Sequence, residues 1–444
     1  MKKYFVFFIL LFVFFNVFAE GNLTVYNGNF ALYNDSFELD LKKGVFDDYV
    51  LKKVPTKIDR GSILIFPQNY KNRIEILEQN YDYDLVNMNK LINKLLGSPV
   101  EFITKDGEKY NGKLVSSYGN NILIRENKNY ISIDTDEIRK FKFTENSNLI
   151  MEPTLSWKIK SSISDEVDFE ISYLMNDINW NSKYNLNLNE KENKGVLNSW
   201  IMLKNNSGKY FSDVNLQLMA GDVQKYIEKT RPKLYRDRVA SVQRESVSQE
   251  KISEYYLYTI NRPVSVKNNQ NKEIPLFNPV EIDVTKKFTY QIQQNNKDVN
   301  VSIEFHNRKY NNLGIPLPAG VFSVYKKDKN GNTQFLGEDK IDHTPKNEII
   351  SVKIGNAFDV LGETNRKSRT KISDGVYRYT YEVTLTNRKD ERVNVVAIFR
   401  RNSYLKFENS EIRVEDPDSN NLRFNLTLGS NERKTFTFSL KTTY

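Results

Sequence analysis

The sequence predicts an all-β protein: multi-domain β-sandwiches with one small strand-rich insertion and one short helix. Three observations predict it. Apolar and polar residues alternate with period two along most of the chain, short polar turns interrupt that alternation, and a single stretch carries helical spacing. Tyr377-Arg378-Tyr379-Thr380-Tyr381-Glu382-Val383-Thr384-Leu385 shows the pattern best, with aromatic and aliphatic groups on one face and polar groups on the other. The chain has no cysteine, so disulfides, thiolate zinc sites and cysteine nucleophiles are excluded.

The first nineteen residues read as a secretory signal. Met1-Lys2-Lys3 is a charged start, an apolar run of about fifteen residues follows, and Ala19 offers the small residue before a cut. The run is shorter than the ~20 residues of a spanning helix, and Asn16 interrupts it, which favours cleavage over retention as an anchor. No cysteine follows the cut, so lipid attachment there is excluded. Removing nineteen of 444 residues leaves 425, enough for two to four domains. No later stretch is long and apolar enough to span a bilayer. The net charge of +9 falls to +7 without Lys2 and Lys3. Such an excess suits anionic surfaces, but the 65 basic and 56 acidic residues are interspersed, as on an ordinary soluble face. An exported chain without disulfides fits a bacterial envelope.

Residues 20–83 predict an N-terminal β domain, with "LTVYNGNFALY" and "DSFELDLKKG" broken at Gly28 and Gly44. Asp84-LVNMNKLINKLL-Gly97 predicts the helix. Leu85, Met88, Leu91, Ile92, Leu95 and Leu96 share a face, Asp84 is placed to cap the start and Gly97 to close the end. Five short strands follow to 143, in the order of a small barrel. Residues 150–224 predict four or five strands that open a C-terminal sandwich domain, with a turn at Asn205-Asn206-Ser207-Gly208. Residues 225–254 lose all periodicity and predict an exposed basic loop, with Lys229, Arg231, Lys233, Arg236 and Arg238 around Pro232. Strands resume over 255–444 and complete the sandwich region.

Two resemblances follow from these residues. "GSPVEFITKDGEKYNGKLVSSYGNNILIRENKNYISIDTDEIRKFKF", with Gly97, Val100, Asp106, Gly107, Tyr110, Gly112, Leu114, Asn121 and Leu123, resembles the Sm-like or SH3-like small β-barrel. Sm proteins bind RNA, which would need a stacking platform beside a basic groove. Tyr118 and Arg125 are the residues on offer, but a secretory signal takes the chain away from cytoplasmic RNA, and no nucleic-acid partner is expected. "EYYLYTINRPVSVKNNQNKEIPLF", "NNLGIPLPAGVFSVYKKDKNGNTQFLGEDKIDHTP" and "IGNAFDV", in that order, resemble the C-terminal domain of unknown function in bacterial mucoidy-inhibitor-like proteins, from Ser156 to Tyr444. Many of those proteins carry a long coiled coil between two β domains. This chain has the short helix and the small barrel instead. The resemblance implies fold and export, and little about chemistry.

The residues that invite a chemical reading are Glu338, Asp339, Asp342 and His343 in "GEDKIDHTP". The chain has only two histidines, and carboxylates beside one of them are raw material for a metal site or a general acid–base pair. On the enzyme reading, Asp339 and His343 bind a metal, or His343 is a base oriented by Asp339 or Asp342, with Thr344 or Ser323 as the nearest hydroxyls. On the structural reading, the stretch crosses between sheets and its side chains bond turn backbone. A zinc site needs three ligands, and His306 shares no motif with His343. "LGIPLPAG" predicts a rigid exposed connection, not a phosphate cradle. Trp157, Trp180 and Trp200 are either core or sugar platforms. Trp200 is expected in the core, and Trp180, among asparagines, at the surface.

The sequence therefore predicts a non-catalytic binding or scaffolding protein of the envelope, exported to the periplasm or cell surface. No cofactor is expected, and the partner would be an envelope protein or glycan. The alternative is a metal-dependent hydrolase of envelope glycan or peptide using Asp339 and His343.

Overall fold

The computed structural model describes residues 21–83, 88–143, 149–221, 223, 225, 247–252, 255–418 and 420–442. The secretory signal, the Asp84 cap and the five basic residues around Pro232 lie outside the described residues. The chain is all-β, as the alternation predicts, and divides into two compact units. One takes residues 1–179, 204–217 and 262–270, and the other takes 180–203, 218–261 and 271–444.

In the first unit the strand Phe30–Leu41 pairs antiparallel with Asn22–Tyr26 on one side and along its whole length with Asp165–Asn176 on the other. Leu64–Pro67 joins the far edge. Val167, Phe169, Ile171, Tyr173 and Met175 all point inward, which is what period-two spacing dictates for a half-buried strand. A second sheet centres on Thr154–Ser161, flanked antiparallel by Gly44–Lys52 and Ile74–Asp82. The two layers meet where Phe37 stacks on Phe169 of its own sheet and on Trp157 of the other. The strands before and after the insertion thus share sheets, although the sequence predicts separate domains at 20–83 and 150–224.

The insertion itself is a five-stranded antiparallel sheet in the order Ile138–Phe143, Pro99–Thr104, Lys109–Tyr118, Asn121–Glu126 and Asn129–Asp134. Its two end strands do not pair, so the expected small barrel is not closed by hydrogen bonds. The helix, Met88–Lys94, packs Leu91 and Ile92 with Leu95 onto Val100, Phe102, Leu114, Ile122, Ile124 and Ile133. Gly112 has a steric reason: a Cβ there would stand 2.6 Å from the Arg125 carbonyl oxygen of the neighbouring strand.

The second unit is built mainly of two sheets. The smaller runs Gln270–Asp283, Lys194–Asn205, Ile178–Leu188, Gly320–Lys327, Thr333–Ile341, with a parallel pair between Ser182–Leu188 and Gly320–Lys326. The larger has nine strands, from Leu405–Ser410 at one edge to Val414–Asp418 at the other. It curls on itself, because Phe424 from one end packs 5.0 Å from both Phe436 and Phe438 of the other. This encloses a core of Phe288, Tyr290, Val383, Leu385, Val395 and their neighbours. Tyr184, Phe322 and Phe305 stack in sequence from the smaller sheet to the larger. Within the loop predicted at 225–254, Val247–Ile252 is instead a strand, paired antiparallel with Tyr255–Ile260.

Candidate functional site

The histidine–carboxylate stretch occupies the end of Thr333–Ile341 and the turn after it. Gly337 opens it with φ +153, and a Cβ there would stand 2.1 Å from the Ile354 carbonyl oxygen. Only glycine lets this edge strand of the smaller sheet approach the long strand Ile349–Ser373 of the larger so closely. Two residues on, the Asp339 carboxylate spans the same gap: one oxygen accepts the Lys353 backbone N–H at 3.1 Å, the other the Lys340 N–H at 2.8 Å. Glu338 accepts the hydroxyl of buried Ser323 at 3.1 Å. His343 Nδ1 accepts the Ala319 N–H at 3.1 Å, which places the proton of a neutral imidazole on Nε2. Asp342 is exposed and its carbonyl takes the Thr344 hydroxyl at 2.7 Å, while Thr344 and Leu317 exchange backbone bonds at 2.9 Å each.

These contacts assign Asp339, Glu338 and His343 to backbone or to a neighbouring hydroxyl. Among the described residues no three histidine, aspartate or glutamate side chains gather to hold a metal ion. The second histidine, His306, pairs with Ile349 in the larger sheet, and its ring lies 6.1 Å from that of Tyr310.

"LGIPLPAG" is buried rather than exposed: Pro316, Leu317 and Pro318 are all in the interior. Proline has no N–H to satisfy, so only its carbonyl needs a partner. Buried Tyr258 donates to the Pro316 oxygen at 3.2 Å and buried Tyr184 to the Pro318 oxygen at 2.8 Å. Burial pushes both phenols well above their ordinary pKa.

The tryptophans also exchange roles. Trp180 is 2 % exposed and donates to the Met219 carbonyl, so it is core rather than a surface platform. It shares its phase with Ile178, Ser182, Tyr184, Leu186 and Leu188, all buried. Trp200 takes the opposite phase to buried Leu197, Ile201 and Leu203 and is half-buried. In the inserted sheet Tyr118 is 88 % exposed. It pairs with Asn121 and Arg125 pairs with Lys113, so the two side chains stand about 13 Å apart along the strand and form no joint platform.

An electrostatic link joins the two sheets of the second unit. Glu192, in the turn before Lys194–Asn205, bonds Lys286 of the larger sheet at 2.6 Å and Lys326 of the smaller at 2.7 Å. Burial pushes the Glu192 carboxyl up, but the two ammonium donors together outweigh it and hold the pKa below the ordinary value.

The concave surface that sequence reasoning missed is a cleft of about 370 Å³ in the larger sheet. The loop between Thr285–Gln291 and Asp298–His306 supplies Gln291, Gln293, Gln294 and Asn295. The strands beneath supply Asp298, Asn300, Lys353 and Asn356. One amide builds the loop: Asn296 donates to the Gln291 carbonyl at 2.7 Å and accepts the Asp298 N–H at 3.1 Å. The Tyr290 hydroxyl donates to the Asn296 carbonyl at 2.8 Å. Its single proton is then committed, so the Thr364 hydroxyl donates to it at 2.8 Å. With Asn296 absorbing the turn's own needs, the other amides of the loop face solvent without a partner among the described residues. The signal in the sequence is "QIQQNN", an amide run between two alternating strands.

Lys353 links the two places. Its backbone N–H is held by Asp339, and its side chain lines the cleft. Asp339 thereby anchors one wall of the cleft.

The class so defined is an all-β protein whose C-terminal sandwich carries an open, polar, amide-lined cleft. The chain belongs to the family described as a domain of unknown function, DUF4139, whose model matches residues 169–444. No curated protein matches it.

Proposed function

We propose that this chain is a non-catalytic binding or scaffolding protein of the bacterial cell envelope. The observation that carries the reading is the cleft, a pre-formed concavity lined mostly by amides that have no partner among the described residues. Amides donate and accept hydrogen bonds but neither titrate near neutrality nor attack a carbonyl, so they suit recognition rather than turnover. The resemblance to mucoidy-inhibitor-like proteins and the secretory N-terminus support an exported location, in the periplasm or at the cell surface. The inserted sheet, with its Sm-like residue pattern, serves as a spacer. No helix of the described residues is long and apolar enough to cross a membrane.

The test is co-sedimentation of the mature protein with cell-wall, membrane and soluble fractions of the native host's envelope. Enrichment with one insoluble fraction, without release of reducing ends or free amino groups, is expected. Metal-dependent release of either product would overturn the reading in favour of a hydrolase.

A further inference from the structure

We propose that the cleft binds a neutral glycan chain, with its amides reading sugar hydroxyls and Phe358 stacking under one ring. The inference rests on the binding reading above and names the ligand class of the same site. Three observations carry it.

The first is the chemistry of the lining. A sugar hydroxyl both donates and accepts, and so does each carboxamide, so Gln291, Gln293, Gln294, Asn295, Asn300 and Asn356 match a polyhydroxylated chain in any local orientation. The two charges, Asp298 and Lys353, are of opposite sign and select no anion. Protein interfaces are built on an apolar core, whereas every residue lining this cleft is polar or charged.

The second is Phe358. It is 92 % exposed, a large apolar side chain left in water. Its position is set by a local irregularity. Asn300 pairs with Asn356 and Asp298 with Leu361, so the single residue Val299 opposes the four residues Ala357 to Val360. Val360 is buried and Ala357 packs partly against the core, while Phe358 is thrown outward. Bulges of this kind re-aim side chains beside functional sites. The residues at both ends of this one, Asn300, Asn356 and Asp298, line the cleft. Two residues along the strand from Asn356, an exposed aromatic face of this kind would supply the apolar contact for the C–H face of a pyranose, while the amides take its edge.

The third is the fixed shape of the loop. Tyr290 is fully buried and ties Asn296 to Thr364, so the loop is formed before a ligand arrives and little ordering is lost on binding.

The experiment is affinity electrophoresis of the mature protein through gels containing soluble neutral polysaccharides. Calorimetry follows with cellohexaose, maltohexaose and the N-acetylglucosamine hexamer. At least one of these is expected to retard the wild type and to bind in calorimetry. Phe358→Ala is expected to weaken that binding roughly threefold to tenfold. Asn356→Ala is expected to weaken it about fivefold, and Asn300→Ala similarly. Each variant should keep the wild-type melting curve, since all three side chains lie outside the core. The proposal is overturned if no neutral glycan binds, or if binding is indifferent to all three substitutions. It is also overturned if only sulfated polysaccharide binds and 0.5 M salt abolishes it, which would reveal a general cationic surface. Envelope co-sedimentation that persists unchanged in Phe358→Ala and Asn356→Ala would leave the binding-protein reading standing and remove the glycan from this cleft.

Discussion

The histidine–carboxylate turn at 337–345 and the amide loop at 291–300 lie against the same long strand, Ile349–Ser373, and reverse what their compositions suggest. The turn holds the residue types of a catalytic centre, yet Asp339, Glu338 and His343 each accept from a backbone N–H or a hydroxyl close by. The loop is rich in glutamine and asparagine, yet Asn296 alone serves the turn's backbone and leaves the other amides facing solvent. Residue type shows what chemistry is available. The hydrogen bonds already made show whether any of it is left for a ligand.

That contrast can be broken most forcefully at Gly337. Alanine there must clash with the Ile354 carbonyl and adopt a φ that side chains disfavour. Gly337→Ala is expected to cost about 3 kcal/mol in urea unfolding, and a loss under 1 kcal/mol would refute the close approach of the two strands. Next is Glu192→Gln, expected to cost about 2 kcal/mol by removing a charge-assisted link between the sheets. The sign of its pH dependence follows from a folded pKa held below the ordinary 4.5. The stabilisation is complete above that value and is lost as pH falls through the folded pKa. Wild type and variant should therefore differ in melting temperature at pH 7 and converge in strong acid; a gap that widens on acidification would contradict the pairing. His343→Ala is smaller, about 1 kcal/mol for one lost acceptor of the Ala319 N–H. Smallest is Phe358→Ala, expected to move stability by less than about 0.5 kcal/mol, so that any larger loss would place the ring in the core.

The all-β class was legible because burial on one face of a sheet imposes a period of two, and strands such as Asp165–Asn176 show that period without interruption. The helix was legible from Leu91, Ile92 and Leu95. Phase was readable too: Trp180 falls in step with Tyr184 and Leu186, and weighing that phase above its asparagine neighbours would have placed it in the core. Other features depend on partners distant in sequence. Nothing near "LGIPLPAG" announces that Tyr184 and Tyr258 satisfy its carbonyls, and nothing near Asp339 announces the Lys353 N–H. The pairing of Phe30–Leu41 with Asp165–Asn176 across the insertion is likewise a long-range choice that local pattern does not encode. The cleft has no titratable motif to mark it in the sequence; its signal is the amide run "QIQQNN".

The most direct test of the contrast is thermal denaturation of the wild type, Asp339→Asn and His343→Ala, each with and without millimolar calcium or micromolar zinc. A ligand that binds only the folded state raises its melting temperature by mass action. With the carboxylates and imidazole engaged by the fold, neither metal should shift the wild type, and both variants should melt lower by the same margin with or without it. A metal-dependent rise of several degrees in the wild type, absent from both variants, would contradict the account and return the turn to the role its composition suggests.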